Sequence, residues 1–221
     1  MKIKAENKAL RQQAGYTLIE LSITVAIIAV LVMTGLYGVP RILDTNKVTT
    51  TAQQITLATA NYSKLASSST DTTWATTGTL YAAATAVPLT GMGVWSDENI
   101  LKSTTTPPVF YGLQHAFGGS IYSRNATVGI TNFLGANEGY ILKLEKVPAK
   151  NCFALASSFG NTAMQIEIDS GATPTAGPIT AEPTGAAIVK AAGSNLNNTT
   201  LATQCQSNPT VAKSVYLWFQ Y

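Results

Sequence analysis

The sequence predicts an α+β architecture: one long N-terminal helix, its first half of membrane length, followed by a head that mixes strands with short helices. Three observations predict it. Residues 21–39 contain no charged side chain, and Glu20 is the only charge between Gly15 and Pro40. Further on, Val48, Ala52, Ile55, Thr59, Tyr62 and Ala66 recur at spacings of four and three, the stripe of an amphipathic helix. Beyond the helix, segments such as 164–169 alternate apolar and polar side chains, which is the period of a strand.

Taken in order, residues 16–39 come first. As a helix they would span about 36 Å, enough to cross a hydrocarbon core of about 30 Å with some tilt. Lys2, Lys4, Lys8 and Arg11 precede them, so the leader is expected to stay cytoplasmic while the rest crosses outward. A secretory signal peptide has a shorter apolar run followed by small residues; here Ala14-Gly15 come before the run. Gly35, Gly38 and Pro40 are expected to interrupt the helix near its outer end. The amphipathic stripe then carries it to about Ala66, and the Ser/Thr-rich residues 67–78 form a loop.

Strands are expected at 140–147, with Leu142 and Leu144 opposite Lys143 and Glu145. A second is expected at 164–169, with Met164, Ile166 and Ile168 on one buried face. A third, less strictly alternating, covers 211–221. Residues 148–160 suit a short helix, with Pro148 in its first turn, Gly160 at its end, and Cys152, Phe153, Leu155, Ala156 and Phe159 on one face. Residues 171–185 read as a surface loop. The stretch 80–134, broken by glycines and Pro107-Pro108, gives no assignable pattern.

Composition favours an assembled external protein. Only 11% of the 221 residues are charged, against roughly a quarter in ordinary soluble domains. The net charge of +3 lies wholly in the first fifteen residues, and the remainder balances to zero. A general attraction to nucleic acid or anionic membrane is therefore not expected, whereas near-neutrality favours self-association. Cys152 and Cys205 lie far beyond the apolar segment. In an exported chain such a lone pair is most simply a disulfide, stabilising by roughly 4 kcal/mol in the chain-entropy account.

The run Ala14-Gly15-Tyr16-Thr17-Leu18-Ile19-Glu20-Leu21 behind a basic leader resembles the class III leader and N-terminal segment of type IV pilins and pilin-like proteins. An ordinary signal-anchor helix would leave Glu20, beside the Gly15–Tyr16 junction, without explanation. The resemblance implies a pilin-like fold, in which the long helix packs on an antiparallel β-sheet head. It divides the chain into a leader (1–15), a transmembrane and assembly helix (16–39), the amphipathic second half (40–66) and a head (67–221).

The resemblance further implies cleavage between Gly15 and Tyr16 by a prepilin peptidase, N-methylation of Tyr16, and a role for Glu20 in assembly. Tyr16 stands where many family members have phenylalanine or methionine. The implied partners are further copies of the chain, the peptidase, the inner-membrane assembly machinery, an outer-membrane secretin, and the membrane before assembly. The long leader, the large head and the order helix-with-cysteine, strand, loop, second cysteine most resemble the type IVb branch, and the cysteine pair resembles that family's C-terminal clip. A type II secretion pseudopilin or a minor tip pilin acting as an adhesin would share the N-terminus.

No GxSxG elbow, HExxH, P-loop or strand-linked GxGxxG is present, so neither an enzyme nor a cofactor is expected. His115 reads as a structural histidine. Asp97-Glu98 and Glu167/Asp169 lack metal-ligand spacing, and no metal is expected. Asn61, Asn125, Asn197 and Asn198 fit the N-glycosylation pattern, a match that arises readily by chance.

Overall fold

The computed structural model describes residues 17–68, 93–102, 110–126, 130, 133–135, 138–171, 179, 183 and 185–221. The chain divides into two compact units, Met1–Leu43 and Asp44–Tyr221. Helix α1 covers Leu18–Ser68 without a break, and Pro40 lies inside it. This corrects the expected interruption at Gly35, Gly38 and Pro40. One proline removes one backbone hydrogen bond, a loss that long uninterrupted stretches of helix on both sides can carry.

In the second unit, α1 buries Thr51, Ile55, Ala58 and Tyr62, with Val48, Ala52 and Leu65 partly covered. Ile55 and Tyr62 of the expected stripe are buried, while Thr51 and Ala58 are buried in place of Ala52 and Thr59, which lie at the margin. After a 3-10 turn at Asp97–Asn99 come β1 (Ile100–Lys102), β2 (Phe110–Gln114), β3 (Ser120–Asn125) and β4 (Gly139–Val147). Then follow α2 (Ala149–Ser158), β5 (Gln165–Asp169), β6 (Ala187–Lys190), α3 (Asn198–Gln206) and β7 (Lys213–Gln220). The seven strands form one sheet in the order β1-β2-β3-β4-β7-β5-β6, every neighbouring pair antiparallel. The fold class is therefore α+β, as the sequence predicts.

Register explains the core. Leu142 pairs with Leu217, which pairs with Ile166, so one row of apolar side chains crosses three strands. These residues pack with Ile55 and Tyr62 of α1, Leu155 and Phe159 of α2, and Leu201 of α3. Tyr62 organises the centre. Its hydroxyl donates to Ser123 Oγ at 2.8 Å and accepts from Trp95 Nε1 at 3.4 Å, while its ring stacks on Tyr140 at 4.3 Å. Burial pushes the Tyr62 pKa up to about 12, so the phenol remains a donor.

The adjacent row, Tyr122, Lys143, Tyr216 and Glu167, belongs to the opposite face of the sheet. Lys143, Glu145 and Glu167 on that face are buried. Such charges are tolerable inside a protein only when paired. Lys143 Nζ meets Glu145 Oε1 at 2.8 Å and lies over the rings of Tyr122 and Tyr216. Glu167 Oε1 accepts from Trp218 Nε1 at 2.8 Å and Gln165 Nε2 at 2.7 Å. Ile141, Tyr216 and Trp218 pack there with Ala126, Leu134 and Ile179 in a second cluster. Met164 packs against this second cluster and precedes β5, so it does not share the buried face of Ile166 and Ile168.

Helix α2 follows the expected residues, but Pro148 is its cap and Phe153 is exposed while Cys152, Leu155 and Ala156 are buried. Ser67 and Ser68, expected in a loop, still belong to α1, while the rest of that loop, 69–78, and most of 171–185 fall outside the described residues.

Candidate functional site

The predicted cleavage junction, Gly15 and Tyr16, lies outside the described residues. The site begins at Thr17. Thr17-Leu18-Ile19-Glu20 has the S/T-x-x-E pattern that starts helices. The Glu20 amide donates to Thr17 O at 3.1 Å and to Thr17 Oγ1 at 3.3 Å. Thr17 thus caps α1, a role the sequence reading missed although the four-residue pattern was legible. Glu20 stands in the first turn, exposed, where the partial positive charge of the helix N-terminus favours a carboxylate.

From Leu18 to Leu43, every large apolar side chain is more than half exposed, Leu18 at 88% and Tyr37 at 77%. Soluble monomers rarely expose contiguous apolar patches beyond a few hundred Å². The polar side chains in this stretch do little to offset it: Ser22, Thr24 and Thr34 turn their hydroxyls back onto the carbonyls of Ile19, Leu21 and Val30. By length and composition the helix can cross a membrane. From Leu18 to Val39, Glu20 is the one charge on an apolar surface of the kind that lipid or another apolar helix covers.

In the head, Cys152 of α2 and Cys205 of α3 form a disulfide, with Cα atoms 5.6 Å apart and a sequence separation of 53. Asn197 caps α3 by accepting from the Thr200 amide at 3.0 Å. Lys213 Nζ donates to the carbonyls of Ser207 and Asn208 just beyond α3. The disulfide ties α3 to α2, and Lys213 at the start of β7 ties the chain just beyond α3 to the sheet.

The remaining candidates are structural. Asn125 is buried and accepts from Tyr221 Oη at 2.8 Å, while Asn61 donates to the carbonyls of Gly93 and Val94. Among the described residues, no group of three or more His, Cys, Asp or Glu side chains could hold a metal ion. His115 is buried; its Nε2 donates to Glu145 O at 2.6 Å and its Nδ1 accepts from the Phe117 amide at 3.3 Å. Gly119 faces this latch, and a Cβ there would come within 1.8 Å of Glu145 O.

Burial lowers the His115 pKa below its ordinary 6.5, against smaller opposing effects of Glu145. The unfolded chain therefore binds the proton first. The stability gained from neutral His115 is complete above about pH 6.5 and is lost as pH falls through the depressed folded value. Thermal or denaturant melts at pH 7 and pH 5 should show that His115→Gln, which cannot charge, loses less stability than wild type over that interval. Equal losses would contradict this account.

The family of the prokaryotic N-terminal methylation motif matches residues 10–36. No curated protein matches the chain significantly. Among solved structures, the chain is similar to the type IVb pilin from Salmonella typhi, with 16% identity, a TM-score of 0.47, and coverage of 80% of this chain and 99% of that one. It is also similar to TcpA, a type IV pilin from Vibrio cholerae El Tor biotype, with 18% identity, a TM-score of 0.45, and coverage of 79% and 98% respectively.

Proposed function

We propose that this chain is the precursor of a structural subunit that polymerises through its N-terminal helix into an extracellular type IV pilus, of the type IVb kind. The observation that carries this reading is the charge-free, exposed apolar surface of α1 with Glu20 alone at its start, within a matched methylation motif. Before assembly the helix is held in the inner membrane by its apolar surface. A prepilin peptidase removes residues 1–15 and the new terminal amine of Tyr16 is methylated. In the filament, Glu20 of an incoming subunit pairs with the amine of a neighbour, which sets register. Burial of side chains such as Leu21, Ile27, Ile28 and Leu31 between subunits supplies the cohesion. Inner-membrane assembly machinery and an outer-membrane secretin complete the route to an external filament serving adhesion, aggregation, motility or conjugative contact.

Processing gives the direct test. Mass spectrometry of the mature chain should find an N-terminus at Tyr16, and a bulky residue in place of Gly15 should leave the precursor uncut in the membrane. A mature chain beginning elsewhere overturns the reading. A sheared-fibre preparation dominated by this chain makes it the major subunit.

A further inference from the structure

The first hydrogen bonds of α1 bear on leader cleavage. In a helix each amide bonds the carbonyl four residues earlier. A helix that began a turn sooner would therefore send the Glu20 amide to Tyr16 O and the Ile19 amide to Gly15 O. Instead the Glu20 amide is spent on Thr17, on its carbonyl at 3.1 Å and its Oγ1 at 3.3 Å, and the Leu21 amide bonds Thr17 O at 3.1 Å. Thr17 is the last residue before the helix, and α1 begins at Leu18.

A stop at this point has work to oppose. A helix of 51 residues is already nucleated, and extending it adds one hydrogen bond for each residue fixed. Upstream, the run from Lys8 to Ala14 (Lys-Ala-Leu-Arg-Gln-Gln-Ala) consists wholly of strong helix formers, and Gly15 is the one poor former between it and Tyr16. Thr17 is exposed, so packing within the subunit does not account for its hydroxyl.

We infer that Thr17 is a positioning residue for leader cleavage: its side chain ends α1 short of the Gly15–Tyr16 bond, so that no helical amide occupies the Gly15 carbonyl. The inference rests on the reading of this chain as a precursor cut at that junction. In the cut, the hydroxyl of a water goes to the Gly15 carbonyl carbon and its proton to the Tyr16 nitrogen as the C–N bond breaks, leaving a carboxyl group and an amine. A peptidase that holds its substrate as an extended strand, through main-chain hydrogen bonds, cannot use a segment whose main chain is already bonded within a helix.

The test follows cleavage of the full-length precursor in detergent micelles by membranes of the source organism, read by mass spectrometry. Thr17→Val keeps the shape of the side chain and removes the acceptor, whereas Thr17→Ser and Thr17→Asn keep an acceptor at the cap. In the Val variant the junction is open in only part of the molecules. KM should therefore rise by up to about fivefold, the factor a lost cap is worth, with kcat unchanged. The Ser and Asn variants should behave as wild type. By NMR, the Ile19 amide should exchange more slowly in the Val variant, as the helix advances onto Gly15. Equal KM in all four proteins, or faster exchange at Ile19 in the Val variant, overturns the inference and leaves the precursor reading standing. So does normal cleavage of the Ser variant with loss of cleavage in Asn, since the peptidase would then be reading the hydroxyl itself. A wild type that is not cut between Gly15 and Tyr16 overturns both.

Discussion

Replacing Glu20 by Ala should abolish fibre formation while leaving leader cleavage, the Cys152–Cys205 bond and the head fold intact. Within the subunit, the Glu20 carboxylate lies exposed at the start of α1. Its amide, which Thr17 caps, survives the substitution. In the proposed filament the situation reverses. The terminal amine of the neighbour would be left buried without its anion, and removing one partner of a buried pair costs about 3–5 kcal/mol. That is a loss of about a hundredfold or more in the equilibrium for each added subunit. Membrane-held mature monomer and sheared fibre should be quantified for both proteins. Normal fibre yield from the Ala variant would show that apolar packing alone sets register.

The second large effect concerns the clip between α2 and α3. The double variant Cys152→Ala/Cys205→Ala should lose roughly 4 kcal/mol, a large share of the 5–15 kcal/mol that holds a typical domain together. Both cysteines are buried in the principal core, so each alanine also forfeits packing around Leu155 and Leu201. Denaturant melts of the mature chain measure the loss, and hydrogen exchange should locate it at α3, residues Asn198–Gln206. A change below about 1 kcal/mol would mean that the Asn197 cap and the Lys213 anchor suffice to hold that helix.

Residues whose neighbours in sequence already reveal their environment were legible. The apolar run, Glu20, the α2 segment, the strands at β4, β5 and β7, and the cysteine pair all announce themselves locally. Strands β1, β2, β3 and β6 did not. Ser123 and Asn125 of β3 are buried because Tyr62 and Tyr221, distant in sequence, supply their hydrogen bonds. No alternation survives where tertiary partners satisfy polar side chains. The burial of Lys143 and Glu145 has the same cause: Tyr122 and Tyr216 enclose the ammonium from neighbouring strands. Helix α3 was missed for a different reason. Only Leu201 and Cys205 mark its inner face, and its clearest signal, the Asn197 cap, coincides with a glycosylation-like triplet.

The uninterrupted passage of α1 through Pro40 has a mechanical consequence. A Cβ added at Gly35 or Gly38 would meet nothing within 4 Å, so nothing within the subunit requires glycine at either position. Alanine would favour the helix by about 1 kcal/mol at each, and proline costs about 3. The stretch from Gly35 to Pro40 is thus helical with the smallest margin of any part of α1. Pulled along its axis, a helix yields where its turns are cheapest to open: each residue that passes from helix to extended chain lengthens from 1.5 Å to about 3.3 Å. In a filament of such subunits, extension would begin at these few residues in every copy and reverse as their turns re-form, giving the fibre a spring while the head stays folded.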